Sequence, residues 1–495
     1  MPRLLALLAL AALTAPAADL DAVRTWRASN EHAVLGEFVE LLSIPNIARD
    51  TANIRRNAAF LAKMLERRGA KARLLEVEGA PPVVYGEIAV PNATRTLLFY
   101  AHYDGQPVTP RDWTSDPWTP VLRSGAANVP WPDRGRPFDP EWRLYARSAS
   151  DDKGTIIAMM SALDALRASG QRLTSHIKFV FEGEEEAGSA SLARILAQHK
   201  NLVQGDVWLI CDGPVHQTRR QQLFFGARGV TGFELTAYGP RRELHSGHYG
   251  NWAPNPAMAL AQLLATMKDA SGRVVIEGFY DGIAPLSDAE REAIAAAPDN
   301  DEELRRELLL AETDGGGRKL IDLINQPSLN VRGLSSAGVG PEARNVVPAF
   351  ATASIDIRLV KGMDPAATVN RVVEHIRRQG WHVVDREPDE KTRLAFPRVL
   401  RINRAEGGYR AVRSPMDTPI AKQIAAAVRA ARGEVILMPT LGGSVPLYVI
   451  EDGFQAPMVG VPIANHDNSQ HGPNENLRLR NLWDGIETMA ALFTM

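Results

Sequence analysis

The stretch HIKFVFEGEEEAGS, residues 176–189, places an apolar run directly before a cluster of acidic residues. The apolar run His176–Phe181 is typical of a buried strand. The acidic residues that follow it within a few positions are Glu182, Glu184, Glu185 and Glu186. Like charges packed this closely repel one another, and carboxylates at the end of a buried strand are costly to leave unpaired. The stretch therefore predicts a buried strand whose end faces positive charge.

The same pattern occurs twice more in the first half of the chain. Thr96–Ala101 (TLLFYA) ends at His102 and Asp104, and Asp206–Cys211 (DVWLIC) ends at Asp212. Helical patterns lie between these strands, at Thr51–Gly69, Thr155–Leu166 and Ser189–His199. Strands that alternate with helices predict an α/β fold, a mainly parallel sheet with helices on both faces. Ligands bind such sheets beyond the carboxyl ends of the strands, so this edge is the predicted site.

A second pattern begins near residue 229. Candidate strands of a separate sheet are Phe233–Ala237, Ala351–Leu359 and Trp381–Val384, with a helix at Ala366–Gly380. Residues 285–325 are charged and helix-forming, with turn-like breaks. The α/β pattern resumes with a helix after Thr418-Pro419 and a strand at Pro457–Gly460. We expect a catalytic domain of residues 19–228 and 413–495, interrupted by an inserted α+β lid or dimerisation domain at 229–412.

The composition excludes several classes of partner. The chain has 495 residues, 45% of them hydrophobic and 23% charged, which is typical of a globular protein of about two domains. With 56 basic and 58 acidic residues the net charge is −2, so we expect neither nucleic acid nor an anionic membrane as partner. Cys211 is the only cysteine, so an internal disulfide is excluded.

The N-terminus, MPRLLALLALAALTAPAADL, has the pattern of a bacterial export signal. Arg3 precedes an apolar run from Leu4 to Leu13, and the small residues around Ala17 predict cleavage near Ala17 or Ala18. The alternative is an N-terminal anchor helix, but this run is short for a bilayer core of about 30 Å. We expect residues 1–18 to be a signal peptide and the mature protein to be periplasmic or secreted, with no membrane association.

Histidines and carboxylates that project from one sheet edge are ligands that Zn²⁺ accepts. Two divalent ions that share a carboxylate would neutralise the clustered acids. They would also supply a nucleophile at neutral pH. The candidate positions are His102 and Asp104, Asp151 and Asp152, Glu185 and Glu186, Asp212, and His471.

Seven motifs, taken together and in order, carry a resemblance to a known family. They are HYDGQP (102–107), SASDDKG (148–154), EGEEEAGS (182–189), CDGP (211–214), ELHSGHYGN (243–251), GGSVP (442–446) and QHGPNEN (470–476). This order resembles the aminoacylase–carnosinase superfamily of dinuclear zinc peptidases and amidohydrolases. It looks most like the branch of carnosinases and cytosolic nonspecific dipeptidases. The resemblance spans essentially the whole mature chain.

The resemblance implies a set of metal ligands. His102 and Asp212 would bind one ion, Glu186 and His471 the second, and Asp151 would bridge the two. The ions would be zinc, with manganese or cobalt as alternatives. From the residues alone, the neighbouring aspartate Asp152 remains an alternative bridge, with Asp151 as a helix cap.

The resemblance also implies catalytic roles. Glu185 would be the general base that takes a proton from the water between the metals, and Asp104 would orient the imidazole of His102. Glu184 remains an alternative base. His245 would stabilise the oxyanion, often from the neighbouring subunit of a homodimer formed through the inserted domain. His248 is nearby, but a surface histidine is the simpler interpretation.

Further residues would bind the substrate. The resemblance assigns this role to Asn345 and Arg358, and the planar guanidinium of Arg358 suits a terminal carboxylate. An ordinary ion pair at a strand edge is the alternative for Arg358. Gly442, Gly443 and Ser444 would offer donors to the same carboxylate. The resemblance thus implies an exopeptidase that hydrolyses dipeptides or short peptides with a free C-terminal carboxylate.

Two other functions compete with this one. An N-acyl-amino-acid amidohydrolase or desuccinylase would use the same metal site, and an inactive relative would serve as a peptide-binding scaffold. One residue departs from the family pattern: Ser148 stands where the segment Gly-Arg-Gly usually has its second glycine. If that backbone needs a positive φ, serine is awkward there, which puts the geometry of the loop in doubt.

Overall fold

The structure is a computed structural model that describes residues 18–405 and 408–495, so residues 1–17 of the expected signal peptide lie outside it. The helices are α1 (Leu20–Leu42), α2 (Thr51–Arg67), α3 (Lys153–Ala168), α4 (Leu192–Gln198), α5 (Ser246–Tyr249), α6 (Pro256–Ala265), α7 (Asp288–Ala296), α8 (Asp301–Glu307), α9 (Leu320–Ile324), α10 (Pro365–Arg378), α11 (Glu390–Ala395), α12 (Pro419–Arg432), α13 (Tyr448–Phe454) and α14 (Leu479–Phe493). Among the described residues, no helix combines the length and the apolar character that a membrane span requires.

The strands are β1 (Lys71–Leu75), β2 (Val83–Ile88), β3 (Thr96–His102), β4 (Val121–Ser124), β5 (Ala127–Asn128), β6 (Arg143–Tyr145), β7 (His176–Glu182), β8 (Val207–Ile210), β9 (Gln222–Phe224), β10 (Gly226–Ala227), β11 (Gly229–Tyr238), β12 (Leu244–His245), β13 (Ser328–Ser335), β14 (Val346–Val347), β15 (Phe350–Leu359), β16 (His382–Val384), β17 (Val399–Arg404), β18 (Val412–Arg413), β19 (Ile436–Met438), β20 (Met458–Gly460) and β21 (Asn476–Arg478). Eight of them form the main sheet, in the order β1-β2-β7-β3-β8-β20-β9-β19. Its central strands β7, β3, β8 and β20 are parallel to one another, whereas β2 beside β7 and β9 beside β20 are antiparallel.

Helices cover both faces of this main sheet, as strand β3 shows. Leu97 and Phe99 belong to the core cluster that includes α1, α3 and α14. Leu98 and Tyr100, which point the other way, belong to a second cluster with α4 and α13. Because successive side chains of a strand face opposite sides, a strand between two helical layers is apolar throughout. The predicted α/β class is confirmed.

The smaller sheet has five strands, in the order β13-β15-β11-β17-β16, and is antiparallel except for its β16–β17 edge. Helices α6 and α10 pack against it and share a separate apolar core with it. The predicted second α+β unit is therefore present. Two short strands, β12 and β14, pair beside this sheet.

Residues 285–325, the helix-forming segment inside the insertion, fold back against the main sheet. The segment carries helices α7, α8 and α9, and α7 packs against β19. Glu290 on α7 pairs with Arg413 at 2.8 Å, and both side chains are buried. Ile321 of α9 packs against the apolar cluster of the main sheet. This segment, called the excursion below, therefore packs against the main-sheet layer. Its position within the insertion does not predict this packing.

Candidate metal centre and substrate cavity

The topology brings the predicted ligands to one edge. β7, β3, β8 and β20 are neighbours that run parallel, so their carboxyl ends meet. His102 is the last residue of β3 and is paired in register with Glu182, the last residue of β7. Asp212 lies just beyond β8. The loop after β20 leads to His471.

One group of candidate ligands is fully enclosed. It consists of His102, Asp151 and Asp212, whose ligand atoms lie within 4.8 Å of one another. The Nε2 atom of His102 lies 2.8 Å from Oδ1 of Asp151. All three residues are buried. An imidazole and two carboxylates at this spacing can hold one divalent ion.

A second group shares Asp151 with the first and adds Glu186 and His471. The Nε2 atom of His471 lies 3.2 Å from Oδ2 of Asp151 and 3.5 Å from Oε2 of Glu186. The side chain of Gln106 donates to Oε2 of Glu186 at 2.7 Å. Asp151 thus lies between the two groups, in the position that a bridging carboxylate would take. Asp152 instead occupies the N-cap position of α3 without a capping hydrogen bond from its side chain, and its Oδ2 accepts the backbone N–H of His102 at 3.4 Å.

Asp104 holds two parts of the site together. Its Oδ1 lies 3.4 Å from Nδ1 of His102, where it can orient the imidazole. Its Oδ1 and Oδ2 also accept the backbone N–H groups of Glu185 and Glu186, both at 3.0 Å. The sequence suggests only the first of these contacts. The carboxylate therefore fixes the turn that carries the candidate base as well as the ring of the histidine.

Burial raises the pKa of several carboxyl groups at this edge. Burial, together with the nearby charge of Asp151, raises the pKa of Asp212 to about 6. It raises the pKa of Glu186 to about 8 and places that of Glu185 well above its ordinary value. For Asp151 burial opposes ionisation, but hydrogen bonds from His102 and His471 bring its pKa below the ordinary value. A nearby cation would keep the whole cluster ionised at neutral pH.

The donor set of this edge fits divalent metal. Imidazole nitrogens and carboxylate oxygens are the ligands that Zn²⁺ takes, and Mn²⁺ is also bound by such oxygens. Among the described residues, the buried Oδ1 of Asp212 has no hydrogen-bond partner, and a metal would satisfy it. Each group offers three protein ligands around the shared Asp151. The residues present therefore fit the metal that the resemblance implies.

The remaining acids of the EGEEEAGS motif are buried rather than solvated. The hydroxyl of Tyr100 donates to Oε2 of Glu182 at 2.6 Å, and burial raises the pKa of Glu182 to about 8. Glu184 accepts the backbone N–H of Ser191, so its carboxylate is occupied away from the cavity. Glu185, by contrast, lines the cavity. Of these two glutamates, Glu185 therefore lines the cavity, whereas Glu184 does not.

Glu475 is a central residue that the sequence reasoning missed. Its side chain is fully buried and accepts five hydrogen bonds from the loop that leads into Asp151. The donors are Nη1 of Arg147, the backbone N–H groups of Ser148, Ser150 and Asp151, and the hydroxyl of Ser150, at 2.8–3.0 Å. Glu475 lies in the quoted motif QHGPNEN, so a signal was present. Nothing in the sequence says, however, which segment a buried acid in a loop contacts.

Ser148 does adopt the strained conformation that its position suggests, with φ 63°. A non-glycine residue in this region costs on the order of 1 kcal/mol. The Nδ2 atom of Asn46 donates to Ser148 Oγ at 2.9 Å and to the carbonyl of Tyr103 at 2.6 Å. These bonds tie the loop to the segment after β3. The serine therefore leaves Asp151 in place, and the doubt about the loop geometry is resolved.

A cavity of about 820 Å³ extends from the metal edge to the excursion. Asp151, Glu185 and Asp212 lie at one part of its wall, and Arg358 and the segment 442–444 at another. Nη1 of Arg358 donates to Oγ of Ser444 at 2.7 Å, and its Nε lies 3.5 Å from Asp356. The strand-edge ion pair considered above is thus formed, but the guanidinium also faces the cavity. Gly443 is held by its carbonyl, which accepts from the backbone N–H of Arg228 at 3.2 Å.

His245 and Asn345 lie together but apart from this cavity. The backbone N–H of Ser246 donates to the carbonyl of Asn345 at 2.9 Å, and His245 pairs with Val346 across β12 and β14. Both residues are exposed. The centroid of the His245 ring lies 4.6 Å from that of the His248 ring. Within the described residues, those that line the cavity do not include His245 or Asn345.

Comparison with known proteins identifies the family. The model of peptidase family M20/M25/M40 matches residues 98–495. The chain belongs to this family. The human Beta-Ala-His dipeptidase is 27% identical over 474 residues, 92% of this chain and 87% of that protein. The Cys-Gly metallodipeptidase dug1 of Schizosaccharomyces pombe is 27% identical over 476 residues, 91% of this chain and 94% of that protein.

A solved structure agrees with these sequence relatives. The M20 family metallo-carboxypeptidase Sso-CP2 from Sulfolobus solfataricus superposes with a TM-score of 0.75 at 28% identity, covering 93% of this chain and 98% of that one. The predicted resemblance is therefore confirmed, as is the prediction of a metallopeptidase. Two groups of described residues that could hold a metal ion are in keeping with a metal-dependent family.

Proposed function

We propose that this M20 protein hydrolyses the amide bond of dipeptides or short peptides that have a free C-terminal carboxylate. One observation carries the proposal: a single cavity joins the carboxylate–histidine edge around Glu185 to the guanidinium of Arg358 and the 442–444 segment. A substrate whose carboxylate binds Arg358 would present its amide bond toward Glu185. The dipeptidases and the carboxypeptidase to which the chain is similar support this substrate class.

We assign the metal site as follows. His102 and Asp212 would hold one divalent ion, Glu186 and His471 a second, and Asp151 both; zinc is the expected metal, with manganese or cobalt as alternatives. When bound, such ions polarise the scissile carbonyl and lower the pKa of water. Asp104 keeps His102 and the Glu185–Glu186 turn in position.

The side chains then carry the proton and bind the substrate. Glu185 takes a proton from the attacking water and gives it to the leaving amine. Arg358, with the donors of Gly442, Gly443 and Ser444, binds the terminal carboxylate. His245 donates to the developing oxyanion, and Asn345 contacts the substrate beside it.

Because His245 and Asn345 are exposed and outside the cavity, we propose that they act in the site of a second subunit. The chain would then be a homodimer joined through the inserted domain, residues 229–412, with residues 19–228 and 413–495 as the catalytic domain. We also propose that residues 1–18 direct export to the periplasm or medium and are removed. Detection of a mature N-terminus at Ala18 or Asp19 by mass spectrometry of the secreted protein would test the last point.

Turnover of a peptide panel tests the function. Purified protein should hydrolyse dipeptides faster than N-acetyl and N-succinyl amino acids, and chelation of metal should abolish the activity. Metal analysis should find two zinc-type ions per chain. Faster turnover of the acylated compounds would instead favour the amidohydrolase alternative, and less than one ion per chain with no turnover would favour the inactive scaffold.

A further inference from the structure

We infer that the cavity selects substrates whose C-terminal residue carries a bulky apolar side chain, and that Ile324 and Leu441 set this preference. The inference rests on the proposed peptidase function and adds the substrate class. It begins with the size of the cavity, about 820 Å³. Pockets of roughly 300–1,000 Å³ enclose drug-sized ligands, so the cavity has room for a large side chain beyond the peptide backbone.

The wall of the cavity nearest the carboxylate anchor is apolar and comes from two distant parts of the chain. α9 of the excursion contributes Ile321 and Ile324, and the main-sheet layer contributes Met438, Leu441 and Val445. None of these side chains has a role in the metal centre or the proposed proton transfer. An apolar patch on a cavity wall favours a ligand that buries matching apolar area against it.

Two close approaches place this wall beside the reacting groups. A Cβ atom on Gly442 would lie 3.4 Å from Cδ1 of Ile324, so Ile324 covers the segment that would bind the carboxylate. A Cβ atom on Gly213 would lie 3.6 Å from Cδ2 of Leu441, so Leu441 lies next to the loop of Asp212. The C-terminal residue of a bound peptide lies between the carboxylate anchor and the metal edge. Its side chain would therefore contact Ile324 or Leu441.

The lysine of the same wall already has an ionic partner. Nζ of Lys319 lies 3.0 Å from Asp299, and Oδ2 of Asp301 accepts the backbone N–H of Leu320 at 2.7 Å. An acidic substrate side chain would lose water without gaining a free cation from Lys319. Peptides that end in Leu or Phe should therefore be cleaved faster than those that end in Asp.

The wall is held in place by buried contacts at both ends of the excursion. The ion pair of Glu290 with Arg413 fixes its first helix to the main-sheet layer. After α9, Nη2 of Arg228 donates to the carbonyl of Gln326 and to Oγ of Ser328, both at 2.9 Å. Because Arg228 also holds Gly443 through its backbone N–H, Ile324 and the carboxylate anchor are positioned by the same residue.

Steady-state kinetics of matched variants tests the inference. The substrates are the dipeptides Ala-Leu, Ala-Phe, Ala-Gly, Ala-Asp and Ala-Lys. For wild type, kcat/KM for Ala-Leu should exceed that for Ala-Asp by about tenfold or more. Ile324→Asn should lower kcat/KM for Ala-Leu about tenfold and leave Ala-Gly within about twofold, because glycine has no side chain to bind. Ile324→Val should also lower kcat/KM for Ala-Leu, but by a smaller factor.

Leu323→Asn is the matched control. Leu323 is on the same helix and equally half-buried, but its side chain packs on Gly315, 2.7 Å from where a Cβ would lie. This variant should keep the wild-type ratio of Ala-Leu to Ala-Gly. The inference would be overturned, and the proposed function would stand, if Ile324→Asn lowered kcat/KM equally for Ala-Leu and Ala-Gly. Equal wild-type kcat/KM for Ala-Leu and Ala-Asp would overturn it in the same way. If wild type loaded with zinc cleaves none of the five dipeptides, the proposed function itself is overturned.

Discussion

The edge of the main sheet and the β12–β14 pair of the insertion carry the two halves of the predicted site, and they differ in completeness. At the main-sheet edge, His102, Asp151 and Asp212 are buried, and their ligand atoms lie within 4.8 Å of one another in one chain. His245, on β12, and Asn345, just before β14, are exposed, and neither is among the described residues that line the cavity. The difference shows that the ends of parallel strands bring the candidate metal ligands together within one chain, whereas the proposed oxyanion donor lies apart from them.

The two halves also differ in how firmly the fold holds them. The ligands lie at the ends of strands whose faces are covered by apolar helices, and Glu475 and Asp104 fix the loops between them. The nearest polar contact of the His245 side chain is with its own turn, where Nδ1 accepts from the backbone N–H of Gly247 at 3.1 Å. Substitutions at the main-sheet edge and on the β12–β14 pair should therefore impair the protein in different ways.

The largest effect is expected at the main-sheet edge, for Glu185→Gln. The amide cannot take up a proton, so kcat should fall at least about 10³-fold, within the range of lost acid–base and electrostatic catalysis. Metal content should stay at the wild-type value because Glu185 belongs to neither ligand group. Kinetics and metal analysis of the same preparation check both points. Near-normal turnover would mean that Glu185 is not the base.

The next effect concerns the other half, for His245→Ala. Loss of an oxyanion donor should lower kcat about 100-fold with unchanged metal content. If His245 acts in the partner's site, subunits of His245→Ala and Glu185→Gln that are mixed and exchanged should regain activity. A heterodimer then holds one site with an intact Glu185 and an intact His245. Absence of any regain after exchange, with mixed dimers shown by native mass spectrometry, would place His245 in its own subunit's site or outside catalysis.

A third prediction tests what holds the main-sheet edge, with Glu475→Gln. The amide replaces one acceptor oxygen by an N–H₂ group that faces the N–H donors of the Asp151 loop, so the loop must shift. Zinc affinity should fall about 10- to 100-fold, as for other residues that position metal ligands. Competition titration with a chelator measures it.

Glu182→Gln is the control for this third prediction. Glu182 is as buried as Glu475, but it accepts from Tyr100 and not from the Asp151 loop. The same substitution there should leave zinc affinity near the wild-type value. Equal zinc affinity in Glu475→Gln and Glu182→Gln would show that Glu475 does not position the site.

The smallest effect is a pH dependence beside the metal edge, at His216. Burial lowers the pKa of His216 to about 4, with Arg220 adding to the shift, and Nδ1 accepts the backbone N–H of Thr218 at 3.2 Å. Below about pH 6.5, His216 takes up a proton in the unfolded chain, whereas in the folded chain it stays neutral until about pH 4. Wild type should therefore lose stability relative to His216→Gln, on the order of 2 kcal/mol between these pH values.

Denaturant unfolding of both proteins from pH 4 to pH 8 checks this last prediction. Above pH 7 the histidine is neutral in both states, so the difference in unfolding free energy should be constant there. A difference that stays constant down to pH 4 would contradict the lowered pKa of His216.

Much of the fold follows from local pattern. TLLFYA and HIKFVF are apolar on both faces, and they form β3 and β7 between two helical layers. Thr418-Pro419 begins α12 as expected: Oγ1 of Thr418 accepts the N–H of Ala421 at 3.3 Å, and Gly433 ends the helix at φ 75°. These signals lie within a few residues of what they predict. The excursion has no such signal, because its helices contact strands more than a hundred residues away.

The sequence by itself determined which residue types stand at the strand ends, since that depends on the order of residues along the chain. It also carried the ordered motifs by which the family is recognised. Only the tertiary structure decided that Glu475 accepts hydrogen bonds from the Asp151 loop, that α9 lines the cavity, and that His245 lies outside it. The physical reason is that packing and hydrogen bonds between distant segments depend on the whole fold, and no short pattern encodes the partner.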